Sequence, residues 1–281
     1  YHEASHHSFP SGPLLPHRAQ RPGGFLSGEI LPLGSCLPLD ADGFLRFDAD
    51  PEKIQSHWRP LIDGMNALYL GRYGKSLRSV YVRGTAAKGA AIDGVSDLDT
   101  FALVSSGSDE TMPDWARPGM EELLGRFPFC TGIECIVIGV ESLRKVKPGK
   151  QLNSWQRLIK TQAVCVYGED LAPSIPRVRP GPEMVGHLYW LEKDLPSEAE
   201  MKAFTKKECT WLMKRIVRSG FELVMEEAQT FTRDLYPCYE IFSRYYPEKE
   251  REMRRALELA IFPLENSADV APIAAGIGRW L

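Results

Sequence analysis

The chain has 281 residues, 43% of them hydrophobic, and a net charge of −3, which suits one large domain or two modest ones. Such a balance supplies no global basic field to gather long nucleic acid, so a polymerase-like duplex binder is disfavoured, while a small local phosphate site is not. No apolar run approaches the roughly 20 residues that span a bilayer, and the opening YHEASHHSFPSG lacks the positive-then-apolar plan of a secretory signal. The six cysteines form no CxxC pair and no Cys/His zinc spacing; most sit in apolar runs as small core residues, which points to a reduced, cytoplasmic setting.

Residues 1–49, rich in Pro, Gly, His and Ser, read as a flexible N-terminal arm, tag-like at its start and surface-hugging around FLSGEILPLG and FLRFDAD. His2, His6 and His7 belong to this polar tail and are not taken as metal ligands. Ile54, Trp58, Leu61, Met65 and Leu68 then recur at helical spacing, with Asp50 as N-cap, Pro60 as a kink and Gly71 or Gly74 as the stop. LRSVYVRG reads as a first strand and DLDTFALVSS as a second. A helix in MPDWARPGMEELLGRF leads to a third strand, TGIECIVIGVE; LNSWQRLIKTQ is helical and AVCVYGEDL is a fourth strand.

A proline-rich link over 173–182 separates this mixed α/β unit, residues 50–172, from a helical bundle over 183–281. The bundle's first long helix is expected to open on a Ser-x-x-Glu capping box at Ser197 and Glu200, and TRDLYPCYEIFSRYY and PEKEREMRRALELAIF follow as further helices. The expected class is therefore α+β, a small mixed sheet followed by an all-helical C-terminal domain.

The chemistry concentrates in VRGTAAKGAAIDGVSDLDTFALV, residues 82–104. Gly84 to Gly89 has the GxxxxG spacing of a Walker A loop, but Ala90 stands where that loop needs Lys. The acids of DGVSDLD lack the Gly and the distal Glu of a calcium loop, and a GxGxxG fingerprint is absent. Asp97 and Asp99, two apart on a strand, share a face. Two carboxylates so placed suit Mg²⁺, which takes few protein ligands and completes its shell with phosphate oxygens and water. Gly84 lets backbone approach a phosphate, Thr85 offers it a hydroxyl and an N–H, and Lys88 a charge. Glu134 is the only charged residue of TGIECIVIG, and a metal shared with Asp97 and Asp99 would give it a partner. Glu141, at the end of the same strand, is the alternative acid, on the opposite face. Three carboxylates around a metal-bound triphosphate suggest phosphoryl chemistry.

GTAAKGAAIDGVSDLDTFALV, with a later strand acid, resembles the signature of the nucleotidyltransferases of the DNA polymerase β superfamily. SDLD, VYGEDL and FTRDL resemble the aminoglycoside nucleotidyltransferases in particular. Departures are Thr85 for the usual Ser, which keeps the hydroxyl, and a slightly longer AAIDG loop. The resemblance implies Thr85 and Ser96 at the nucleotide phosphates, Asp97 and Asp99 as Mg²⁺ ligands, and Glu134 as third acid and candidate base. It also implies a basic residue of the helical domain closing over the triphosphate. Arg233 of FTRDL occupies the matching place; Lys214, Arg215 and Arg218 are weaker candidates, and Lys207, Lys214 and Arg218 form one basic stripe.

The expected activity is Mg²⁺-dependent transfer of a nucleoside monophosphate, most simply AMP from ATP, to a hydroxyl of an aminoglycoside-like small molecule, releasing pyrophosphate. The rivals are transfer to a protein or tRNA, as in the toxin–antitoxin branch, and a non-catalytic nucleotide sensor. Asp93 is expected in a turn before Gly94, Glu169 and Asp170 as caps, and Trp155, Trp190 and Trp211 in the core.

Overall fold

The computed structural model describes residues 29–47, 50–107, 109–146, 151–197, 204–265 and 267–281. Helix α1 (Arg59–Tyr73) buries Leu61, Ile62, Met65 and Tyr69, the face that the apolar spacing predicts. Pro60 lies in its first turn, where a missing N–H costs nothing, so it starts the helix instead of kinking it. Asp50 caps only a short 3₁₀ turn, accepting from the Glu52 N–H, and Gly74, at φ +50°, ends the helix.

Strands β1 (Leu77–Arg83), β2 (Leu98–Val104), β3 (Glu110–Thr111), β4 (Ile133–Gly139) and β5 (Ala163–Gly168) form one sheet in the order β3-β4-β2-β1-β5. β2 and β4 are parallel, and the other neighbours antiparallel. Four strands match the expected ones; β3 is a two-residue edge too short to carry a pattern. Helix α2 (Gly84–Ala87) follows β1, α3 (Arg117–Arg126) precedes β4, α4 (Val140–Arg144) follows it, and α5 (Ser154–Gln162) leads into β5.

Alternation sorts the central strands onto two faces. Val80, Val82, Leu98, Ala102, Val104, Cys135 and Val137 pack with α1 and α3 residues. Tyr81, Phe101, Leu103, Ile136 and Ile138 face the other way. They join a core that takes in Leu212, Ile216 and Phe221 of α7 (Lys206–Val224). Around α7 stand α6 (His187–Asp194), α8 (Leu235–Tyr245), α9 (Glu250–Ile261) and α10 (Ser267–Ile273). The C-terminal half is helical as expected, and it shares its core with one sheet face.

The long helix has a capping box, made by Thr205 and Glu208. The box expected at Ser197 and Glu200 reaches outside the described residues, as do residues 1–28 of the flexible arm expected over 1–49. Residues 29–47 run across the helical half: the Leu37 N–H donates to the Phe231 carbonyl at 2.7 Å and the Leu45 N–H to the Val178 carbonyl at 2.8 Å. Among the described residues no helix is long and apolar enough to cross a membrane.

Phe101 sits in the core that the sheet face shares with the helical half, stacked on Tyr81 at 5.0 Å between ring centroids and tilted against Trp155 at 5.8 Å, with no solvent exposure. Phe101→Ala should cost about 3–5 kcal/mol, read as a lowered urea midpoint in equilibrium unfolding.

Candidate active site

One register step beyond the stacked Tyr81–Phe101–Ile136 row, the same face carries charge. Arg83 pairs across the ladder with Asp99, and Asp99 with Glu134, so one lateral row runs through β1, β2 and β4. The Arg83 guanidinium reaches over β2, hydrogen-bonds Glu134 and lies 3.7 Å from Asp99. A cavity of 360 Å³ opens beside this row, lined by Arg83, Gly84, Thr85, Lys88, Asp97 and Asp99 from the sheet end. Lys214 and Arg218 of α7 and residues 231–234 close it, and Ser35 and Leu37 add part of its wall.

Gly84 adopts φ +73°, and a Cβ there would stand 2.9 Å from Asp99 Oδ2, so glycine is what lets α2 turn away against the carboxylate. Thr85 faces the cavity, and its hydroxyl hydrogen-bonds Ser96 Oγ at 3.1 Å. Ser96 is buried and also accepts from the Ile92 N–H at 2.9 Å. It therefore stands behind Thr85 instead of lining the cavity. Lys88 donates to both oxygens of Asp234 at 3.0 Å, tying the loop after β1 to the start of α8.

Burial pushes the Asp99 carboxyl up to about 6; Arg83 works against this, and Glu134 and Asp97 add to it. Burial, then Arg218, holds the Lys214 ammonium below the usual lysine range, while Asp97 and Asp99 pull it back. Arg218 is likewise lowered by burial, and its Nε donates to the Arg233 carbonyl at 3.1 Å. Burial brings Arg233 down to about 9, which leaves it charged at neutral pH. Of the basic candidates, Arg215 turns away to Asp194, at 2.8 Å, and Lys207 is exposed.

The structure thus brings together Gly84, Thr85, Lys88, Asp97, Asp99, Lys214, Arg218 and Arg233, with Ser96 one layer back. Glu134 stays in register with Asp99, but Arg83 holds its carboxylate. Glu141 is on α4, paired with Arg144 and away from the site. Among the described residues no group of three or more His, Cys, Asp or Glu is placed to hold a metal ion. The pair Asp97 and Asp99 still fits a hard cation: both face the cavity, and Asp99 sits amid excess negative charge that a cation would relieve.

Arg83, Asp234, Gln162 and Ser35 line the cavity without having been anticipated. Two of them left a trace: Arg83 is a charge closing an apolar strand, and Asp234 follows Arg233 directly. Of the other residues weighed, Asp93 is in a turn and hydrogen-bonds His57, and Asp170 caps by accepting from the Ala172 N–H. Trp155 packs against the core, whereas Trp190 and Trp211 are substantially exposed.

No model of a known protein family and no curated protein matches the chain. A solved structure of spectinomycin adenyltransferase AAD(9) from Enterococcus faecialis, with ATP and spectinomycin, is similar at 16% identity and a TM-score of 0.45, covering 79% of this chain and 98% of that one. At that level of likeness, the chemistry of the site has to be judged from its own residues.

Behind the cationic wall, Glu222 accepts from His187 Nδ1 at 2.9 Å and from the Gly186 and Leu188 N–H groups. Burial drives His187 down to about 4 from an ordinary 6.5. Burial opposes the Glu222 charge, but these donors hold its carboxyl below the usual range. Between pH 6.5 and 4 the unfolded chain binds a proton on His187 that the folded chain refuses, so stability falls as pH falls through that window. His187→Asn, which keeps an N–H for Glu222, should flatten this slope in urea unfolding followed from pH 7.5 to 4.5.

Proposed function

We propose that the chain is a nucleotidyltransferase that moves a nucleoside monophosphate, AMP from ATP, onto a hydroxyl of a small-molecule acceptor and releases pyrophosphate. One observation carries this: a single cavity is lined by Asp97 and Asp99 and, around them, by Lys88, Lys214, Arg218 and Arg233. The aspartates call for a cation and the basic wall for an anion, and a metal-bound polyphosphate is a ligand that satisfies both. Bound at Asp97 and Asp99, Mg²⁺ would polarise the α-phosphate and neutralise charge on the leaving pyrophosphate.

The remaining work falls to the chain's own groups. Thr85, oriented by Ser96, offers a hydroxyl and an N–H to the phosphates next to Gly84. Lys214 and Arg218 stand across the cavity from the aspartates and hold the charge that leaves, with Arg233 buried behind as a fixed cation. Lys88 reaches the triphosphate by giving up Asp234. In the transfer, an acceptor hydroxyl oxygen bonds the α-phosphorus and gives up its proton to water as the bond to the bridging oxygen breaks, and pyrophosphate departs with that electron pair. The choice of an aminoglycoside-like acceptor, and with it a role in antibiotic resistance, rests on the SDLD, VYGEDL and FTRDL resemblances.

The test is incubation with Mg²⁺, α-labelled ATP and a panel of aminoglycosides and other hydroxyl-bearing small molecules, with tRNA and lysate proteins alongside. Label is expected on a small molecule, with stoichiometric pyrophosphate; label confined to RNA or protein would replace the acceptor class, and no transfer with ATP still bound would mark a sensor. Asp99→Asn should lower turnover by about 100-fold or more while circular dichroism stays unchanged, and unchanged turnover would refute the metal pair. Lys214→Ala should raise the KM for ATP by about tenfold, in line with loss of a charge-assisted contact to phosphate.

A further inference from the structure

The three acids of the site are not equivalent. Asp97 and Asp99 line the cavity, whereas Glu134 does not. It lies on the far side of β2 from β1, yet it is the residue that Arg83 of β1 reaches. Neighbouring strands are about 4.8 Å apart, so the Arg83 side chain crosses two strand spacings, passing over Asp99, to end between two carboxylates. Only a long side chain in the shared register row could do this. Both ends of the contact are largely enclosed, Arg83 at 23% and Glu134 at 32% side-chain exposure.

A guanidinium is always charged and offers five donors in a fixed fork. Here one arm holds Glu134, the same nitrogen lies 3.7 Å from Asp99, and the buried Nε has no hydrogen-bond partner among the described residues. Asp99 and Glu134, neighbours in one register row, are a carboxylate pair that would suit a second divalent ion were Arg83 not held between them.

We propose that Arg83 is a built-in cation of this site: it fills the place of a second divalent ion, so the chain holds one metal ion on Asp97 and Asp99, and Glu134 anchors Arg83 instead of binding metal. This rests on the metal pair assigned under the proposed function and goes beyond it by fixing how many ions the chain holds and by giving Glu134 a positioning role. Arg83 pairs with Glu134 and Lys88 with Asp234, and Asp97 and Asp99 remain to hold one divalent ion opposite Lys214 and Arg218. Unlike a metal ion, Arg83 cannot leave with product, so its charge at this end of the sheet is permanent.

The test is Mn²⁺ binding to the full chain without nucleotide, followed by calorimetry and by the paramagnetic resonance of free Mn²⁺ up to millimolar concentration. The wild type should bind one ion, and Glu134→Gln should still bind one with less than about a tenfold loss, since mutating groups that hold a metal ligand directly costs about 10–100-fold and the Glu134 carboxylate holds only Arg83. Arg83→Gln, which leaves Asp99 and Glu134 uncompensated, should take up a second ion or bind the first about tenfold more tightly. Two ions on the wild type, a loss of about tenfold or more with Glu134→Gln, or an Arg83→Gln protein that binds like the wild type would each overturn the proposal. Should Arg83→Gln not fold, the Glu134→Gln measurement decides alone. Asp99→Asn separates the two levels. If it binds Mn²⁺ as the wild type does, or if the wild type binds none, the metal pair itself fails and the Arg83 inference falls with it. If Asp99→Asn abolishes binding while Glu134→Gln also weakens it, only the Arg83 inference is lost.

Discussion

The constraint on which the rest of the site depends is charge confined to the end of an otherwise apolar sheet face. Tyr81, Phe101 and Ile136 form one row and Arg83, Asp99 and Glu134 the next, so packing gives way to ionic chemistry within a single register step. Carboxylates so enclosed repel each other and lose hydration, as the elevation of Asp99 to about 6 records. Arg83 makes the row tolerable by lying across it. The energy this arrangement withholds in the free chain is available to any cation that arrives at Asp97 and Asp99.

The helical half supplies the opposite charge for the same reason. Lys214 and Arg218 project from a helix whose other face is fixed in the shared core by Leu212, Met213, Ile216 and Val217, all fully buried. Because the sheet face and α7 belong to one core, the basic wall cannot drift from the aspartates without opening hydrophobic surface to water. Glu222, one turn beyond Arg218, anchors the start of α6 through His187 and two backbone N–H groups. A rigid scaffold therefore sets the spacing between the basic wall and the aspartates, which is what a preorganised electrostatic site requires.

How far the sequence spoke for this arrangement depended on whether a feature was local. Short apolar runs marked β1, β2, β4 and β5, and Asp97 and Asp99 stood out by spacing at the start of β2, where both line the cavity. Glu134 was visible as a charge in an apolar strand, but its partner was not, because the Arg83–Glu134 contact depends on a strand order that places β2 between them. Likewise Asp234 meets Lys88 across 146 positions, a distance over which no pattern carries information. Pro60 shows the converse limit: a proline in a helical pattern can either break a helix or begin one, and only the start at Arg59 settles which.

The Lys88–Asp234 pair gives the cavity a second property. Asp234 binds Lys88 through both oxygens, accepts from the Ser35 N–H at 3.0 Å, and begins α8. A Cβ on Gly34, at φ +108°, would meet the Asp234 side chain at 2.3 Å, so the N-terminal segment can pass there only as glycine. One carboxylate thus joins the N-terminal segment, the loop after β1 and the helical half around the mouth of the cavity. A polyphosphate that competes for Lys88 would weaken one of these ties and leave the Ser35 contact in place. Entry of the anion is then linked to one tie of the helical half through a single ion pair, about a third exposed on both sides.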